Sequence, residues 1–140
     1  MTIASFRAAP RGVVSGLLAA CVLAACASSP SASRPKTLDD KLAERGYKLG
    51  GDIDRIQNWS IDGWSYIDDE HVVFNAGPSR DYLVTVLMPC NGLSSANTIG
   101  FSTTVSAVTK FDKLVVRNTG FTDQCPIREL HELKRVKKAS

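Results

Sequence analysis

The sequence predicts a mainly β fold: a small antiparallel sheet or partly open barrel with short helices at its N- and C-terminal ends, an α+β arrangement being the variant. Three observations carry this. β-branched and aromatic residues recur across residues 53–117 in short runs divided by Gly, Pro, Asn and Asp. Asp81-Tyr82-Leu83-Val84-Thr85-Val86-Leu87-Met88 is nearly all apolar, as expected of a strand covered on both faces. Helical spacing is confined to the two ends of the folded region.

Taken in order, Thr37-Leu38-Asp39-Asp40 has the form of a capping box, with Asp in place of Glu. Leu38 and Leu42 lie one turn apart, and Gly46 is the expected stop. From Ile53 the periodicity changes. Ile56, Trp59, Ile61, Trp64, Tyr66 and Ile67 lead into the polar turn Asp68-Asp69-Glu70, and His71-Val72-Val73-Phe74-Asn75 reads as the returning strand. Ala76-Gly77-Pro78-Ser79 turns again into the apolar strand, which Pro89 ends. Further strands are expected at residues 99–105 and 113–117, with Cys125-Pro126-Ile127 pairing at an edge, where Pro is tolerated. Ile127, Leu130, Leu133 and Val136 recur every three residues among basic side chains. That pattern predicts an amphipathic helix on the sheet, or a strand fraying into a basic tail.

The chain of 140 residues fits one domain with an appendage, and 44% apolar residues suffice for a core. Formal net charge is +3 and falls to +1 without Arg7 and Arg11, so no global field attracts nucleic acid. Those two arginines precede a short apolar stretch, residues 13–25, in the layout of a secretory signal. At about 20 residues for a bilayer span, the stretch is too short to be a transmembrane helix. Leu23-Ala24-Ala25-Cys26 resembles the lipobox of bacterial lipoproteins. The resemblance implies cleavage before Cys26 and acylation of its thiol. Leu18-Ala19-Ala20-Cys21 has the same form but leaves a shorter apolar region. The expected organisation is a signal peptide over residues 1–25, a Ser/Ala/Pro tether over 26–36 and one β-rich domain over 37–140. Ala27, where the enteric sorting rule has Asp for inner-membrane retention, points to the outer membrane facing the periplasm.

With Cys21 in the signal and Cys26 lipidated, Cys90 and Cys125 remain. In an oxidising compartment a disulfide is the economical reading, with buried free thiols or a metal site as alternatives. No CxxC spacing occurs, and His71 and His131 form no ligand cluster, so neither a metal nor another cofactor is expected. His131-Glu132 lacks the second His of a zincin helix, and G-x-S-x-G is absent. Asp52, Asp54, Asp62, Asp68, Asp69 and Glu70 read as solvated turns rather than a calcium loop or a hydrolytic pair. Trp59, Trp64, Tyr66 and Tyr82 are candidates to line a ligand cleft, the alternative being core positions.

Ile67-Asp68-Asp69, Tyr82-Leu83-Val84, Cys90-x-x-Leu93, Phe101, Asp112 and Cys125-x-Ile127 together resemble a proteobacterial family of small secreted proteins and lipoproteins of unknown function, over roughly residues 52–133. The resemblance implies an envelope location and a Cys90–Cys125 pair, and it implies no reaction. The functional expectation is a non-enzymatic envelope lipoprotein, an adaptor or structural component held to the membrane by its lipid and meeting another envelope protein. The alternative is a small-ligand binding module with an aromatic cleft.

Overall fold

A computed structural model describes residues 34–103 and 105–137. The signal segment, Cys21, Cys26 and the tether as far as Ser33 lie outside the described residues. One helix and nine strands follow: α1 (Leu38–Glu44), β1 (Tyr47–Asp52), β2 (Arg55–Gln57), β3 (Gly63–Asp68), β4 (His71–Ala76), β5 (Arg80–Val86), β6 (Thr98–Phe101), β7 (Ala107–Thr109), β8 (Lys113–Asn118) and β9 (Phe121–Arg135). The helix starts and stops as its sequence directs. The Thr37 hydroxyl accepts from the Asp40 N–H at 3.3 Å, the Asp40 carboxylate accepts from the Thr37 N–H at 3.0 Å, and Gly46 turns out at φ 79°.

The strands form an antiparallel half-barrel in the order β3-β4-β5-β9-β8-β6, with β1 added to β9 and β2 paired separately with β7. The mainly β antiparallel expectation therefore holds. Its C-terminal helix does not: the last strand runs unbroken from Phe121 to Arg135. The three-residue spacing that mimicked a helix comes from an irregularity. Register against β5 slips between Thr85↔Glu129 and Val86↔Ile127, so Ile127 and Leu130 reach the same core despite their odd separation. Leu133, another odd step along, then faces the opposite side. Nor is the segment around Pro126 an edge. β9 is central, pairing its first half with β8 and its second with β5 and β1. Pro126 sits at the changeover, opposite Lys113, and its carbonyl accepts from the Leu87 N–H at 2.9 Å.

Alternation along the strands gives the sheet two apolar faces. On one, Val72, Phe74, Val84, Val86 and Leu130 meet Leu114 and Val116 of β8, Ile56 of β2 and Val108 of β7. On the other, Ile67, Val73, Leu83 and Leu133 are covered by Leu42 and Leu38 of α1. β5 contributes to both, which is why its sequence is nearly continuous apolar. Both clusters, the disulfide and every strand pairing are drawn from residues 34–137, so this unit carries its own core. Among the described residues no helix is long and apolar enough to cross a membrane.

Candidate functional site

The register places Trp64 of β3 beside Phe74 of β4 and Phe74 beside Tyr82 of β5, a row of three aromatics on the main-core face. Phe101 of β6 comes across from the other wing of the half-barrel to pack on Phe74, with ring centroids 4.9 Å apart and planes tilted by 47°. Between the two wings opens a hollow of about 370 Å³, floored by Trp64, Phe74, Phe101, Ile61 and Ile99 and edged by Asn58 and Asp62. Asp62 is fixed in place: its Oδ2 accepts from the Gly77 N–H at 3.0 Å, and its own N–H donates to the Asn75 carbonyl at 2.9 Å. Asn58 is held by its N–H on the Ser106 carbonyl at 2.8 Å. An apolar aromatic floor with a few fixed polar groups at its edge is the usual chemistry of a small-ligand site.

The four aromatic candidates are not brought into one cleft. Trp64 lines the hollow. Trp59, on a short 3-10 turn next to Asn58, points away and is 76% exposed. Tyr66 packs on the main core and donates its hydroxyl to Asp69 at 2.8 Å, and burial together with that carboxylate pushes its pKa up to about 12. Tyr82 borders a separate shallow depression with Arg80 and Glu132. Sequence reasoning missed Phe74, Phe101 and Asn58 as site residues and weighed Asp62 only among the acidic turns, because the closure of β6 over β4 runs through β8, β9 and β5 and leaves no local signal.

The acidic residues divide into local roles. Asp52 lies 3.8 Å from Lys110, and Asp62 holds Gly77. Asp68, Asp69 and Glu70 share the β3–β4 turn, in a depression with Lys41, His71 and Pro89. Asp68 Oδ2 takes the Lys41 ammonium at 2.7 Å, and its Oδ1 takes His71 Nδ1 at 2.6 Å and the Glu70 N–H at 3.0 Å. Burial raises the Asp68 pKa, and the bonds from Lys41 and His71 outweigh it, so the carboxylate stays below its ordinary range. This cluster ties α1 to the turn, and both Asp68 carboxylate oxygens are already engaged.

Cys90 and Cys125 form a disulfide across 35 positions with Cα atoms 5.8 Å apart, both residues buried. Asp123 lies beside them. With the sulfurs joined, the trio offers no thiolate pair to a metal.

These features define a small disulfide-bonded antiparallel β domain with an aromatic hollow between its wings. The chain belongs to a family of unknown function (DUF6491), whose model matches residues 10–140, beyond the 52–133 over which the resemblance was read. Neither the comparison with curated proteins nor that with solved structures finds a match.

Proposed function

We propose that the protein is a tethered, non-catalytic binding module of the bacterial cell envelope that takes a small ring-shaped ligand in the Trp64–Phe101 hollow. The hollow itself carries the reading: aromatic rings from three strands, open to solvent, with the fixed Asp62 carboxylate and the Asn58 amide at the edge. Its ligand presents a flat apolar face to Trp64 and polar groups to Asp62 and Asn58. The anchor rests on the signal layout and Cys26: a lipidated mature chain starting there, at the outer membrane facing the periplasm.

The adaptor reading has one observation in its favour. Trp59 and Val105 are 76% and 66% exposed, and the Asn58 N–H bond to the Ser106 carbonyl brings their segments together. An exposed apolar pair of this kind suits a protein partner.

Residues 34–140, titrated with a panel of aromatic and sugar rings and followed by amide NMR, separate the two. Shifts centred on Asn58, Asp62, Trp64 and Phe101, lost in Trp64→Ala, are expected. No preferential shift at these residues from any ring contradicts ligand binding there and leaves the Trp59 surface. Intact mass of the membrane-extracted protein tests the anchor: residues 26–140 plus acyl groups are expected, and an unacylated chain overturns it.

A further inference from the structure

A second concavity lies at the β1 margin of the sheet, where α1 passes the outer edge of β1. It encloses about 580 Å³ and is walled by Ala43, Tyr47, Leu49 and Val136, with Lys48 and Lys137 at its border. Val136 is half exposed although it is apolar. Lys48 stands directly opposite Lys134 in the β1–β9 ladder, and two like charges in that position destabilise a sheet. Among the described residues Lys48, Lys134, Lys137 and the nearby Arg45 have no ion-pair partner, whereas Lys41 and Arg135 are committed to Asp68 and Asp81. Asp39, the acidic residue of the lining, sits a helical turn back from Ala43. Strand alternation turns Lys48 and Lys134 to the face opposite Tyr47 and Leu49, so the edge carries an apolar slot on one side and uncompensated cations on the other, a combination that an extended surface, apolar within and anionic at its rim, satisfies.

We propose that this edge is a docking surface for an anionic phospholipid membrane: the slot takes apolar lipid and the lysines take headgroup phosphates. The inference stands on the slot and its charges and goes beyond the binding role of the hollow. Strand addition by a peptide fits the edge less well. β1 carries a register break between Leu49 and Asp52 at Gly50-Gly51, and Lys48 guards the remainder. β1 and β3 are opposite margins of the sheet, so a membrane at β1 leaves the Trp64 hollow accessible.

The test is co-sedimentation of residues 34–140, the unit that holds both cores and the disulfide, with vesicles of phosphatidylcholine and of phosphatidylcholine mixed with phosphatidylglycerol. Binding to the mixed vesicles alone is expected, weakening with salt. Lys48→Gln, Lys134→Gln and Lys137→Gln each lower that affinity about fivefold, the effect of one basic residue near an anionic surface. Val136→Ser lowers it further, and Lys113→Gln on β8 leaves it unchanged. All five positions are exposed, and an unchanged melting temperature confirms that each variant folds. No sedimentation with anionic vesicles, equal sedimentation with neutral ones, an equal loss from Lys113→Gln, or no loss from Val136→Ser overturns the proposal.

Discussion

The two faces of the central sheet are held in different ways. The face that bears the hollow is covered by strands from both halves of the chain and is joined covalently at Cys90–Cys125. The opposite face is covered by seven residues of helix, centred on Leu42, with the Lys41–Asp68 bond as a polar tie and the Thr37 capping box closing the helix's own first turn. A helix of this length is not stable alone and persists only through that packing. Rigidity is placed on one side: the hollow is built into the cross-linked face, and the short helix α1 lies on the other.

The largest expected effect comes from breaking the cross-linked face. Replacing Cys90 and Cys125 with Ala releases a loop spanning 35 positions, costing about 3–4 kcal/mol in the chain-entropy description, read as a lower urea midpoint. Leu42→Ala sharpens the comparison from the other side. It leaves a cavity between α1 and Val73, Leu83 and Leu133, costing about 3 kcal/mol. Its signature is accelerated amide exchange in α1 and β1, with the β8–β9 amides retained.

Arg135→Ala comes next. Asp81 is buried on the helix-covered face, held by Arg135 Nη2 at 3.0 Å and by Asn75 Nδ2 at 2.6 Å. Burial raises its pKa, and the bonds from Arg135 and Asn75 prevail, so it lies below its ordinary value. A carboxyl lowered on folding adds stability that is complete above its unfolded pKa of about 3.9 and is lost as pH falls through the lower folded value. Without Arg135 the burial effect dominates. We expect lower stability at neutral pH, the loss smaller than for a fully buried pair because the guanidinium is half exposed, and a deficit that narrows as acid protonates Asp81. A urea-midpoint difference from the unaltered protein that stays the same from neutral pH to pH about 3 contradicts this role for the pair. The smallest effect is that of Trp59→Ala, within about 0.5 kcal/mol by thermal melting because the side chain is exposed, against a clear loss of ring binding in Trp64→Ala.

Local chemistry was legible in the sequence. The Thr37 cap, the Gly46 stop, the Asp68-Asp69-Glu70 turn and the two-faced β5 all depend on neighbours in the chain. What the sequence hid depends on pairing at a distance. The slip in β9 gave Ile127, Leu130 and Leu133 a helical rhythm inside a strand. Asp81 and Arg135 lie 54 positions apart, and only the β5–β9 register brings them together. The candidate site was half visible for the same reason: Trp64 stood out by residue type, whereas Phe101 reaches it only through the chain of pairings β3-β4-β5-β9-β8-β6.

The central claim is that the hollow sits in the rigid half of the molecule, and native-state hydrogen exchange of residues 34–140 under rising denaturant tests it most directly. Amides of Phe74, Val84 and Leu114 are expected to exchange only through global unfolding, while those of Leu42 and Leu49 exchange through a smaller, separate opening. A single common opening energy for both sets, or earlier exchange at Phe74 than at Leu42, would contradict it.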